Sequence, residues 1–118
     1  MSDEKTLAVM NQFNDAFLKH DPSLLEELLA DDCVLENSGP APNGSRHVGK
    51  AACLEFWSGI ASSEQSKFEP EEIWACGDRA TIRWRLRWGP GDADSVRGVN
   101  LMRLRDGLIV EGMGYVKG

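Results

Sequence analysis

Residues 79–88 read Arg79-Ala80-Thr81-Ile82-Arg83-Trp84-Arg85-Leu86-Arg87-Trp88. Ala80, Ile82, Trp84, Leu86 and Trp88 fall on one side of a period of two. Thr81, Arg83, Arg85 and Arg87 fall on the other. Strict alternation of this kind marks a strand with one face on a core and one toward solvent or a partner. Gly77-Asp78 before it and Gly89-Pro90-Gly91-Asp92 after it are turn clusters. The strand is therefore predicted to be flanked by further strands.

C-terminal to this stretch the same period continues. Ser95 to Arg105 and Leu108 to Lys117 read as strands. The pair Asp106-Gly107 between them is a two-residue hairpin signal. N-terminal to it, Lys67 to Cys76 reads as a strand broken by Pro70, which places a bulge or a sheet edge there.

Further toward the N-terminus the period becomes helical. Leu7, Met10, Phe13 and Phe17 share one helix face within 3–19, with Ser2 as the N-cap and Asp3 and Glu4 in the first turn. Asp21-Pro22 reads as the cap and first position of a second helix, carried by Leu24, Leu25, Leu28 and Leu29 to about Ala30. Cys33 to Asn37 reads as a strand. Ser38 to Gly49, rich in Gly, Pro, Asn and Ser, reads as a long loop. Lys50 to Ser62 is the third helix, with Cys53, Phe56, Trp57 and Ile60 on its apolar face. Helices come first and consecutive strands later. This order predicts an α+β fold with a largely antiparallel sheet.

The chain has 118 residues, enough for one domain over 1–118 with its own core. No apolar run approaches the roughly 18 residues of a membrane span, and Met1 to Met10 lacks the pattern of a signal peptide. Three cysteines, Cys33, Cys53 and Cys76, lie about twenty residues apart. That is neither a disulfide framework nor a zinc pattern, and the expected location is the cytoplasm. The net charge of −6 argues against nucleic acid as partner. Residues 1–72 carry five basic and fourteen acidic side chains, a net of −9. Residues 73–118 carry eight basic and five acidic, a net of +3.

The sequence resembles the nuclear transport factor 2-like superfamily, in particular its SnoaL-like, polyketide cyclase-like branch. The likeness is carried by His20-Asp21-Pro22, Leu29-Ala30-Asp31-Asp32, Val34-Leu35-Glu36-Asn37 and Gly49-Lys50. It continues in Arg83-Trp84-Arg85 and in Arg105-Asp106-Gly107-Leu108-Ile109-Val110-Glu111. The resemblance implies a cone-shaped curved sheet wrapped by three helices from the N-terminal half around an apolar pocket. It implies that Leu35, Asn37, Trp84, Leu86, Gly98, Asn100, Met102, Gly112 and Gly114 face inward. Phe13, Phe17, Phe56 and Trp57 would close the pocket from the helices. The apolar phase of 80–88 agrees independently with this assignment.

Ketosteroid isomerases of the superfamily use a carboxylate base at the end of the first strand. A tyrosine on the first helix and a protonated aspartic acid on a later strand bind their oxyanion. The matching positions here hold Asn37, Phe13 and Asn100. An amide does not serve as a base near neutral pH, and phenylalanine has no hydroxyl to donate. Asn100 retains an amide that can donate. Where limonene-type epoxide hydrolases of this fold carry an Arg and two Asp, this chain has Trp84, Leu86 and Gly114.

Asn37, His47 and Asn100 are the candidate catalytic or ligand-orienting residues. The two amides need partners if buried. His47, in the predicted loop near the pocket mouth, has the titration range of an acid–base group. No metal or cofactor is expected. Two functions that use the pocket remain in view: a cofactor-free isomerase, cyclase or dehydratase on an oxygenated apolar substrate, and a non-catalytic ligand-binding domain. A dimeric interaction module with a collapsed pocket is a third. The outer face mixes Val99, Leu101, Met113 and Tyr115 with arginines, an apolar patch rimmed by charge that predicts a homodimer.

Overall fold

The structure, a computed structural model, describes residues 2–118. Helix α1 spans Asp3–Leu18 and helix α2 spans Lys50–Ala61. The strands are β1 (Leu29–Asn37), β2 (Ser45–Val48), β3 (Lys67–Cys76), β4 (Arg79–Arg87), β5 (Ser95–Arg105) and β6 (Leu108–Val116). They form one curved, unclosed sheet in the order β2-β1-β6-β5-β4-β3. Every pairing is antiparallel except β1 with β6. This is the α+β class expected from the order of periods.

The alternating stretch 79–87 is strand β4, paired on both sides. Arg83 lies opposite Val99 and Arg85 opposite Arg97, while Trp84 lies opposite Gly98 and Ile82 opposite Asn100. The arginines therefore share the convex face and the apolar set shares the concave one. Trp88 departs from its expected place. It falls just beyond the strand and is half exposed, because its backbone N–H turns to Asp94 O and starts the connection to β5. The bulge predicted at Pro70 is present as a shift of register between Pro70 and Glu72 on edge strand β3. The Asp106-Gly107 hairpin has positive φ at both residues, as a two-residue turn of this kind requires.

Helix α1 begins where its cap predicts. Ser2 Oγ accepts from the Lys5 N–H at 3.2 Å. Asp3 Oδ1 accepts from the Gly77 N–H at 2.7 Å, and the Thr6 hydroxyl donates to Gly77 O. The first turn of the helix is thus clamped to the β3–β4 hairpin. Met10, Phe13 and Phe17 are buried against the concave face.

Two expectations fail in the N-terminal half. Residues Asp21 to Ala30 do not form a third helix. Only a 3-10 turn, Pro22–Leu25, follows the Asp21 cap. The chain is extended again from Leu29, because Leu28 O accepts from the Ile109 N–H and Leu29 pairs with Ile109 of β6. Sheet pairing and burial of Leu28 and Leu29 override a weak helical period. Two helices and a 3-10 turn therefore wrap the sheet, not three helices. Second, the long loop Ser38 to Gly49 contains strand β2, which folds back on β1 with Asn37 opposite Ser45 and Leu35 opposite His47. Gly44 makes that reversal possible. Its φ is +75°, and a Cβ there would meet Asn37 O.

Candidate functional site

The concave face of the sheet, the inner faces of the helices and the end of β1 border a half-open cavity of about 220 Å3. Phe13 and Phe17 reach it from α1, and Phe56, Trp57 and Ile60 from α2. The sheet contributes Phe68, Trp84, Leu86, Val96 and Val116, with Gly112 and Gly114 as bare backbone. The aromatic rings form a connected wall. Phe13 meets Trp57 edge-on at 5.0 Å between centroids, Phe13 meets Phe17 at 5.0 Å, and Phe17 meets Phe68 at 5.4 Å.

Asn37, Ser38, Asn100 and Glu36 bring polar atoms to this wall. The two asparagines differ in what their amides do. Asn37 Oδ1 accepts from the Ser38 N–H at 2.9 Å, and its Nδ2 lies 3.5 Å from Gly39 O. That amide is spent on the turn leaving β1. Asn100 Oδ1 accepts from Trp84 Nε1 at 3.2 Å. Indole can only donate, so the oxygen of the Asn100 amide must face it, and Nδ2 is left facing the cavity. The Trp84 bond is the one side-chain hydrogen bond of Asn100 among the described residues, and Nδ2 takes no part in it.

Among the described residues Glu36 is the one ionisable residue along the wall, and its carboxylate is engaged elsewhere. It accepts from Arg46 at 2.8 Å, across the pairing of β1 with β2. The cavity therefore offers aromatic surface and a neutral amide donor, with no carboxylate, thiol or imidazole turned into it among the described residues.

Phe13, Phe17, Asn37, Phe56, Trp57, Trp84, Leu86 and Asn100 are brought together around one space. Leu35 and Met102 share the concave face but lie behind the wall, fully buried in the core. Met102 packs near Gly112, where its Sδ would stand 3.4 Å from an added Cβ. His47 does not reach the cavity. It sits on β2 with its ring 4.8 Å from the ring of Phe56 and its Nε2 3.1 Å from Ser45 Oγ. Phe56, the ring beside it, lines the space that His47 was expected to serve.

Phe68, Ile60, Val96, Val116 and Ser38 were not among the expected lining residues. The period of two exposes part of this set: Phe68 pairs with Leu86, and Val96 is in phase with Gly98 and Asn100. The break at Pro70 conceals the phase of Phe68.

Cys33 and Cys53 lie together under the other end of α2, both fully buried. Cys53 Sγ donates weakly to Cys33 O at 3.4 Å. Burial pushes both thiols above the ordinary cysteine range. Among the described residues no group of three His, Cys, Asp or Glu side chains is placed to hold a metal ion, and no helix is long and apolar enough to cross a membrane.

A curved α+β sheet with helices over its concave face and an aromatic cavity beneath them defines the nuclear transport factor 2-like class. Within that class the chain belongs to the SnoaL-like domain family, whose model matches residues 10–112. A solved nuclear transport factor 2-like protein of unknown function from Mesorhizobium loti is 55% identical, with a TM-score of 0.92, over 98% of this chain and 93% of that one. A Sinorhizobium meliloti protein, provisionally named a polyketide cyclase, is 27% identical with a TM-score of 0.74, over 92% of this chain and 94% of that one. A Kribbella flavida protein provisionally named a ketosteroid isomerase shares the fold at 21% identity and a TM-score of 0.83, over 98% of this chain and 80% of that one. No curated protein matches the chain.

Proposed function

We propose that this domain binds a small, neutral, largely apolar molecule in the aromatic cavity and holds an oxygen of that molecule at Asn100 Nδ2. The observation that carries this reading is the Asn100 amide. Its oxygen is held by Trp84, which leaves its N–H donor for a space lined mostly by rings and aliphatic side chains. That donor is free to give a hydrogen bond, and a ligand oxygen in the cavity could accept it. Binding without acid–base turnover is the reading the side chains favour. The positions that carry a base and a hydroxyl in ketosteroid isomerases are Asn37 and Phe13, and neither can move a proton at neutral pH.

A second reading rests on the name of the Sinorhizobium meliloti protein. In it the cavity promotes a ring closure or isomerisation by folding the substrate, with Asn100 donating to a carbonyl oxygen that gains negative charge. Asn37 and His47 would then be the further groups to test.

We also propose that two copies associate through the convex face. Trp74, Leu101 and Tyr115 are exposed there at 73%, 45% and 57%. They lie among Arg83, Arg97 and Arg103, and the acidic N-terminal half offers counter-charges. A cytoplasmic location is our reading of three unpaired cysteines, two of them buried.

The test is a thermal-shift screen of the protein against small ketones, phenols and epoxides, followed by product analysis of each stabilising compound. A stabilising compound recovered unchanged supports binding alone. A stabilising compound converted to product supports the second reading. Absence of any stabilising compound counts against a functional cavity and favours an interaction domain.

A further inference from the structure

Two indoles lie on two glycines in this cavity. A Cβ on Gly112 would stand 2.7 Å from Cζ2 and 2.8 Å from Cη2 of Trp57. A Cβ on Gly98 would stand 2.6 Å from Cζ2 and 2.7 Å from Cη2 of Trp84. Side-chain carbons do not approach so closely. Each indole therefore rests its six-membered ring on bare backbone, and only glycine permits it.

Trp57 is packed on its other sides and can give way only toward the cavity it lines. It is 5% exposed, and Phe13 meets it edge-on at 81°. A side chain at Gly112 would push the indole toward the cavity. The depth of the space is thus set by how closely Trp57 lies to the sheet.

The cavity is open on one side, so its volume bounds the part of a ligand that can be enclosed. A dry apolar cavity of about 150 Å3 accepts benzene. At about 220 Å3 this cavity has room for one six-membered ring and a short substituent. Drug-sized molecules occupy sites of roughly 300–1,000 Å3, so a fused four-ring skeleton is too large to be enclosed. The donor at Asn100 Nδ2 asks for an acceptor on the substituent.

We infer that the ligand of this cavity is a neutral single-ring carbonyl compound, and that the Trp57–Gly112 contact sets the limit on its size. The inference rests on the binding function proposed above and narrows it. The ring lies against the aromatic wall formed by Phe13, Trp57 and Trp84, and its carbonyl oxygen accepts from Asn100.

Isothermal titration of the full chain with three probes tests this: acetophenone, 2-acetylnaphthalene and progesterone. Acetophenone is expected to bind at least tenfold more tightly than progesterone, although progesterone has far more apolar surface to bury. Gly112→Ala is expected to lose at least tenfold in acetophenone affinity, with its folding checked by circular dichroism. Trp57→Phe shortens the ring on that wall and is expected to gain at least fivefold for 2-acetylnaphthalene. Progesterone binding as tightly as acetophenone overturns the size limit and leaves the binding function standing. No affinity for any probe overturns both. Should Gly112→Ala fail to fold, Trp57→Phe decides alone: no gain for the two-ring ketone removes Trp57 as the limit.

Discussion

Trp84 and Asn100 are joined by a hydrogen bond of 3.2 Å from the indole Nε1–H to the amide oxygen, between neighbouring strands β4 and β5. They are not opposite each other. Trp84 faces Gly98, and its ring extends across that empty position while its N–H reaches diagonally to Asn100. The glycine, the indole and the amide therefore act as one unit. Only the last of them presents a free donor.

Breaking that unit has separable effects. Trp84→Phe keeps a ring on the wall and removes the donor that orients the amide. Acetophenone affinity should fall three- to tenfold, with a loss of folding stability of about 1 kcal/mol, the usual net worth of one hydrogen bond. Asn100→Leu removes the donor and leaves the indole N–H unpaired, so it should cost more on both counts. Titration calorimetry and urea unfolding measure the two. An unchanged affinity in Asn100→Leu would remove Asn100 from the site.

Asn14 lies on α1, 2% exposed, and neither its Oδ1 nor its Nδ2 has a hydrogen-bond partner among the described residues. It sits beside the apolar face of Met10, Phe13 and Phe17 but is not part of the cavity wall. Asn14→Leu should remove the cost of the unpaired amide and raise stability by about 1–2 kcal/mol. The midpoint of urea unfolding should rise accordingly. A lower midpoint would mean that the amide is satisfied in solution.

Leu101 lies at the centre of the convex face, in register with Thr81 on β4 and Met113 on β6. If two copies meet there, Leu101→Arg should convert a dimer to a monomer in sedimentation velocity without altering the melting temperature of the monomer by much. A dimer that persists would place the interface elsewhere.

Arg105 donates to both carboxylate oxygens of Asp32, at 3.0 and 2.6 Å, and ties β5 to β1 at the surface. The guanidinium holds the Asp32 carboxyl below its usual range, and Arg97 does the same for Glu71. A lowered pKa in the folded chain means the unfolded chain binds protons more readily. The contribution of each pair is complete above the ordinary carboxylate range, near pH 4, and is lost as pH falls through the lowered folded value. Both pairs are exposed, so the change in stability should be small. The sharper readout is the Asp32 carboxyl titration by NMR. It should move up toward the ordinary value in Arg105→Ala, and no movement would mean the ion pair does not persist in solution.

The sequence by itself determined the class of fold and most of the inner surface. The period of two in Arg79 to Arg87 assigned Trp84 and Leu86 to one face and the arginines to the other, because a strand between two neighbours has no other way to separate them. The helical period of Met10, Phe13 and Phe17 did the same for α1. Pro70 announced its bulge because it lacks the N–H that a regular ladder needs. Tertiary structure decided what local pattern leaves undetermined. Leu28 and Leu29 read as the end of a helix, and contact with Ile109, some eighty residues away, made Leu28 a turn residue and Leu29 the first residue of β1. Strand β2 alternates in burial, but over only four residues inside a Gly-, Pro- and Ser-rich stretch, too few to register as a period. His47 read as a loop residue near the pocket mouth, and the pairing of β2 with β1 placed its ring beside Phe56, which lines the cavity while His47 does not. Asn37 and Asn100 looked alike as amides in a chain. Which one keeps a free donor depends on its partner, the Ser38 N–H for Asn37 and the Trp84 indole for Asn100. The second partner comes from another strand, and only the folded sheet brings it within reach.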